Sequence, residues 1–171
     1  MKKYYITGIS GAGKSTIAKE LAKKGFVTFD IDDVEGLCHW MNKATKENVG
    51  NRAGIGRDFV EEHKWVVNIE KMKELLNSYE EDLVVSGVCA NQDEFLDLFD
   101  KVFLLHCSEE TFIHRLNTRE DDRFGKDPGQ QEGVINWYKS FEEKMRAQGA
   151  IAVNSEGKLD DVVNEIFSRI N

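Results

Sequence analysis

Short runs of apolar residues alternate along the chain with longer stretches of helical period, and that alternation predicts an α/β domain. Lys3 to Ile6 reads as a first β-rich run, Phe26 to Phe29 as a second strand, and Asp82 to Val88 as a third, buried on both faces. Lys101 to His106 and Ala150 to Val153 read as the fourth and fifth. Ser15 to Lys24 carries Ile17, Ala18, Leu21 and Ala22 on an inner face, and Gly25 stops it. Val34 to Met41 reads as a short helix bearing Trp40, and Asn42 to Gly56 as a loop. From Asp58 the apolar positions Val60, Trp65, Val66, Ile69, Met72, Leu75 and Leu76 predict one long helix. Gln92 to Phe99, a Ser108-capped helix to about Thr118, residues 130–148 and Leu159 to Ile170 complete the helices. No repeat, linker or low-complexity tract interrupts the chain, so residues 1–171 read as one domain.

Gly8-Ile9-Ser10-Gly11-Ala12-Gly13-Lys14-Ser15, followed by Thr16, fills G-x-x-x-x-G-K-[ST] between the first strand and the first helix. A loop of this kind turns backbone N–H groups toward a triphosphate, and the helix behind it adds unpaired donors and partial positive charge. Gly8, Gly11 and Gly13 are expected to keep Cβ atoms out of the phosphates' way. The cofactor reading is ATP with Mg²⁺: Lys14 on the β- and γ-phosphates, the Ser15 hydroxyl on the metal. Asp30-Ile31-Asp32-Asp33 closes the second strand. At the carboxyl end of a strand in an open α/β sheet, Asp30 and Asp32 face the ligand crevice, where phosphoryl transfer needs carboxylates. The alternative is a helix N-cap with acidic first-turn residues, which suits Asp33.

Further candidates each carry two readings. Arg52 and Arg57 are either clamps for an anionic acceptor or solvated loop residues. Asn91 is either a helix N-cap or a polar contact to substrate. Arg115, Arg119 and Arg123 recur every four residues ahead of Phe124 to Gly129, which contains the one proline of the chain. They are either an ion-paired helix end or arginines on a mobile lid, about 119–129, that closes on transferring phosphates. Trp40 and Trp65 are core residues or a platform for a planar acceptor.

The charge balance, 23 basic against 31 acidic residues, gives −8, and no basic run accumulates. Non-specific nucleic-acid binding, which needs a positive face, is not expected. No apolar stretch approaches the ~20 residues that cross a bilayer. Cys38, Cys89 and Cys107 are odd in number and never spaced as C-x-x-C, which suits reduced thiols in a cytoplasm. Together with the scattered histidines they give no metal site beyond the nucleotide's own Mg²⁺.

The loop Gly8–Ser15, the acids Asp30-Ile31-Asp32, the run Arg115-Leu116-Asn117-Thr118-Arg119 and the last strand with Asn154-Ser155 resemble, nearly end to end, a P-loop small-molecule kinase of the adenylate kinase-like superfamily. Nucleoside monophosphate kinases, shikimate kinases and gluconate kinases belong to it. The resemblance implies a three-layer fold with a five-stranded parallel sheet ordered 2-3-1-4-5, flanked by helices. It also implies a short arginine-bearing lid and an acceptor-binding insertion, here about 33–77. Shikimate kinase-like members carry F-x-D-x-D after strand two; here Phe29 directly precedes Asp30. By resemblance Asp30 holds Mg²⁺ through water, Asp32 orients or deprotonates the acceptor hydroxyl, and Arg119 and Arg123 neutralise phosphate charge. Arg115, Asn154 and the loop Val153–Gly157 would then serve the nucleotide. Gly87-Val88-Cys89-Ala90 does not reproduce the shikimate kinase loop after strand three, and 34–60 does not copy gluconate kinases.

The expected function is therefore transfer of the γ-phosphoryl group of ATP to a small molecule by a monomer or homodimer, with a nucleoside or nucleotide as acceptor. Shikimate or a sugar acid is the alternative acceptor, and a regulatory protein that binds ATP without transferring it is the alternative class. A GTPase-type switch fits poorly. Asp33-Val34-Glu35-Gly36 follows the loop too closely for a first switch, and Asn42-Lys43-Ala44-Thr45 lacks an acid to read guanine.

Overall fold

A computed structural model describes residues 1–51, 57–118 and 128–170. Five strands, β1 (Lys3–Thr7), β2 (Val27–Asp30), β6 (Leu83–Ser86), β7 (Lys101–His106) and β8 (Ile151–Asn154), form one parallel sheet in the order β2-β6-β1-β7-β8. Counted among themselves these strands run 2-3-1-4-5, the order the family resemblance implies. Alternate side chains of β1 enter different cores. Tyr4 and Ile6 join Leu104, Phe112, Val163 and Ile166 on one face, while Tyr5 joins Val85, Met72, Phe95 and Phe99 on the other. Burial on both faces explains the unbroken apolar runs of the central strands.

Helices α1 (Lys14–Lys23), α4 (Glu109–Thr118), α5 (Pro128–Ala147) and α6 (Leu159–Ile170) fall close to their expected bounds. Ser108 caps α4 as its sequence predicts, accepting the Thr111 N–H at 3.3 Å. Pro128 and Gly129 open α5 rather than forming a hinge ahead of it; proline is tolerated in a first helical turn, where its missing N–H has no partner to lose. Ala22 is exposed, unlike Ile17, Ala18 and Leu21.

The stretch between β2 and β6 departs from expectation. Val34 to Met41 is not a helix: Gly36 turns with φ +67°, and Cys38–Asn42 forms β3. The loop expected from Asn42 contains β4 (Asn48–Gly50). The long helix from Asp58 is three elements, α2 (Arg57–Glu62), β5 (His63–Val67) and α3 (Ile69–Asn77). Trp65, Val66 and Val67 are strand formers, and their antiparallel pairing with Cys38–Asn42 overrides a helical spacing that they also satisfy. Asn68 then starts α3 by accepting the Lys71 N–H. The result is a small sheet, β4-β3-β5, where a helical insertion was expected. Gln92 to Phe99 is two single 3-10 turns, Gln92–Glu94 and Leu96–Leu98, in place of a helix.

The seam between α4 and the segment after β8 is closed by Glu156. Its Oε1 accepts the Ser108 hydroxyl at 2.6 Å, the Thr111 hydroxyl at 2.7 Å and the Ser108 N–H at 2.9 Å. The two hydroxyl bonds, then that N–H, hold the Glu156 carboxyl down to about 2 from an ordinary 4.5. A depressed carboxyl stabilises the fold above its unfolded value and loses that contribution as pH falls through its folded one. Thermal midpoints of wild type and Glu156→Gln should therefore converge as pH drops from about 4.5 toward about 2, with wild type higher at pH 7. Parallel curves across that range would remove Glu156 from the seam.

Candidate active site

All five strands of the main sheet point the same way, so their carboxyl ends share one edge, the position where open α/β sheets bind ligands. A cleft of about 560 Å³ opens there. Ser10, Gly11, Ala12, Gly13, Lys14, Ser15 and Thr16 line one side, Asp30 and Asp32 another, and Arg115, Ser155, Gly157 and Leu159 the far end.

The glycines of the loop also answer to packing and backbone conformation. A Cβ on Gly8 would lie 2.6 Å from the Leu105 carbonyl oxygen, and one on Gly11 would lie 2.8 Å from that of Phe112. Both glycines therefore let the loop press onto β7 and α4, against backbone that cannot yield. Gly13 is different: its Cβ direction meets only Arg115 Nη1 at 3.9 Å, and its φ of +99° is what calls for glycine. That left-handed residue immediately precedes α1, so the first N–H groups of the helix open into the cleft.

Lys14 Nζ donates to the Gly8 and Ile9 carbonyls at 2.7 and 3.0 Å, which keeps the ammonium over the loop. Ser15 Oγ donates to Asp30 Oδ2 at 2.8 Å, and the buried Ser86 hydroxyl donates to the same oxygen at 3.0 Å. Asp30 Oδ1 accepts the Asp32 N–H at 3.1 Å. Asp30 is 8% exposed, and its carboxylate joins the loop helix, β2 and β6 at one point. A hydroxyl beside a carboxylate is the hard-oxygen donor set that Mg²⁺ takes in nucleotide sites, so Ser15 and Asp30 fit the ion. Among the described residues no cluster of three or more His, Cys, Asp and Glu offers a metal site made of protein groups alone.

Asp32 lies on the cleft wall and accepts the indole N–H of Trp65 at 2.8 Å. Trp65 faces Trp40 across β5 and β3, the rings 5.3 Å apart, and Phe59 meets Trp40 edge-on at 5.4 Å. Arg115 bridges three elements: Nη2 donates to the Ser155 carbonyl at 2.7 Å, and Nη1 reaches the Gly11 and Ala12 carbonyls at 3.4 Å.

Two expected site residues are turned to the protein instead. Asn91 is buried and clamps Val67, accepting its N–H at 2.9 Å and donating to its carbonyl at 3.0 Å; it neither caps a helix with its side chain nor reaches the cleft. Asn154 Oδ1 accepts the Glu156 N–H at 2.9 Å in a local turn, and its neighbour Ser155 lines the cleft. Arg52, Arg119 and Arg123 lie outside the described residues, as do the side chain of Arg57 and positions 119–127 of the expected lid. Sequence reasoning missed Ser86, Trp65 as a partner of Asp32, and Leu159 at the cleft mouth. Leu159 carried one sign in the sequence, an apolar residue at the first position of a helix; in the structure it is 39% exposed.

Cys38, Cys89 and Cys107 are buried free thiols. Desolvation raises all three, Cys89 to about 12 and Cys38 further, so none is a thiolate at neutral pH. Buried and shifted away from the thiolate, these cysteines lack the exposed, electropositive setting of a nucleophile. No helix among the described residues is long and apolar enough to cross a membrane.

Comparison with known proteins agrees with this architecture. A probable adenylyl-sulfate kinase of Halalkalibacterium halodurans is 29% identical over 116 residues, covering 61% of this chain and 53% of that protein. The chain thus spans about half the length of the curated relatives it matches. Among solved structures, a shikimate kinase from Bacteroides thetaiotaomicron superposes with a TM-score of 0.61 at 16% identity, covering 99% of this chain and 98% of its own. A deoxyadenosine kinase from M. mycoides, with bound dATP, gives 0.60 at 17% identity and covers 99% of each. The family model described as AAA domain matches residues 5–136, most of the chain. With its glycine loop, parallel sheet and strand order, the chain belongs to that AAA-domain family of P-loop proteins and has the fold of the small-molecule kinases within the P-loop class.

Proposed function

We propose that the protein is an ATP-dependent phosphotransferase that moves the γ-phosphoryl group to a hydroxyl or phosphate oxygen of a small acceptor, a nucleoside or nucleotide. The observation that carries this reading is the convergence of Lys14, Ser15, Asp30 and Asp32 on one cleft. A pure binding module needs Lys14, Ser15 and Asp30; Asp32 is what transfer adds.

Each residue has a separable task. The loop N–H groups and Lys14 hold the β- and γ-phosphates and draw charge from the leaving oxygen. Ser15 and Asp30 would hold Mg²⁺, which would supply positive charge against the same phosphates. Asp32 accepts the proton of the acceptor oxygen as that oxygen bonds to the γ-phosphorus and the bond to ADP breaks. Because the transition state is loose, positioning and charge neutralisation do most of the work. Arg119 and Arg123 are assigned to the closing lid, and Arg52 and Arg57 to an anionic group on the acceptor. Arg115, bonded to the backbone of the loop and of Ser155, fixes the end of the cleft where Leu159 offers an apolar surface to the base.

A nucleoside or nucleotide acceptor is supported by the aromatic face of β3 and β5 beside Asp32 and by two similar proteins, a probable adenylyl-sulfate kinase and a deoxyadenosine kinase. The shikimate kinase neighbour keeps a hydroxy acid as the second reading.

ADP release should depend on acceptor in a panel of nucleosides, nucleotides, shikimate and sugar acids. Lys14→Ala should lower that turnover about 100-fold or more with the circular dichroism spectrum unchanged. Binding of ATP with no acceptor-dependent release by wild type would favour the non-catalytic reading. Asp32→Asn should reduce kcat by about 100-fold while the KM for ATP stays within about twofold. Equal loss of ATP affinity would move Asp32 to a metal or structural role.

A further inference from the structure

Asp32 stands two residues beyond the end of β2, on the exposed arm of a turn. Backbone bonds define that turn: Asp33 N–H to the Asp30 carbonyl at 3.1 Å, and Asp32 N–H to the Asp30 carboxylate at 3.1 Å. Neither bond fixes the Asp32 side chain. A carboxylate that must meet an acceptor hydroxyl within hydrogen-bond distance loses rate when its orientation wanders.

We propose that Trp65 is the positioning residue for Asp32, and that the small β4-β3-β5 sheet serves to hold its indole N–H against that carboxylate. The bond is 2.8 Å long, from Nε1 to Oδ1. The donor is anchored at every level. Its backbone carbonyl accepts the Ala90 N–H at 2.8 Å, which ties the centre of β5 to the segment after β6. Its ring leans on Trp40 at 5.3 Å, and Trp40 in turn is buried against Phe59. Two residues on, Val67 is clamped through both its N–H and its carbonyl by buried Asn91. A strand held this way delivers the indole at a fixed height over the turn.

The choice of donor is chemically apt. An indole N–H donates one bond, accepts none and does not ionise near neutral pH, so it orients a carboxylate without competing for the acceptor's proton. A lysine or arginine in its place would also hold Asp32, but its full positive charge would weaken the carboxylate as a base.

The role rests on the reading of Asp32 as the group that handles the acceptor oxygen, and the test separates the two. Trp65→Phe keeps an aromatic ring in the strand and deletes the donor, together with part of the indole's bulk. In the acceptor-dependent assay kcat should fall about tenfold, with the KM for ATP unchanged. In an Asp32→Asn background the same substitution should cost little more, because both changes disable one unit. A loss that persists in full in that background would overturn the positioning role alone. Full turnover by Asp32→Asn would overturn the assignment of Asp32 and the positioning role with it. The intact protein gives a second measurement. The Trp65 indole N–H resonance, identified by its disappearance in Trp65→Phe, should shift in Asp32→Asn while that of Trp137 stays in place. An unmoved Trp65 resonance would mean that the bond is absent in solution, and the proposal would fall.

Discussion

The carboxylate of Asp30 is where the pieces of this molecule meet. It is nearly buried, and it accepts from Ser15 on the loop helix and Ser86 on the neighbouring strand through one oxygen, and from the Asp32 N–H through the other. A charge withdrawn from water is tolerated only where donors or a cation answer it. The fold answers with two hydroxyls from different elements, which sets the loop, β2 and β6 in register at the carboxyl edge of the sheet. The register Asp30 to Ser86 in the parallel ladder is the backbone expression of the same arrangement. Once that point is fixed, Lys14 lies on one side of the cleft and Asp32 on the other.

The loop shows how a single pattern can satisfy structural and chemical demands together. Gly8 and Gly11 are dictated by the approach of β7 and α4, at distances that leave no room for a side chain. Gly13 is dictated by a left-handed turn that aims the first N–H groups of α1 at the ligand. The anion-binding geometry is therefore a by-product of packing as much as a fit to phosphate. Arg115 extends the same economy to the far end, joining α4, the loop and the segment after β8 with one guanidinium.

What the sequence disclosed follows from how local each signal is. The loop and the five strands were legible because a complete motif and continuous apolar runs leave few alternatives; their order came with the family resemblance. Asp30 and Asp32 were legible because a parallel sheet sends strand ends to a common edge. The insertion between β2 and β6 was not. Trp65, Val66, Ile69 and Met72 satisfy a helical period, and only the long-range pairing of Trp65 with Trp40 reveals a strand. The bond from Trp65 to Asp32 depends on that pairing, so it was hidden too. Asn91 and Asn154 show a related ambiguity: an asparagine at or beyond the end of a strand is as useful for holding backbone as for touching a ligand.

The central claim is that the loop and its acids grip the triphosphate of ATP through a divalent cation. Titration of the wild-type protein with ATP, in the presence of Mg²⁺ and again with the metal chelated, tests it most directly. Saturable binding that weakens sharply on chelation is the predicted result. Absence of binding to ATP with Mg²⁺ present would contradict the account at its base.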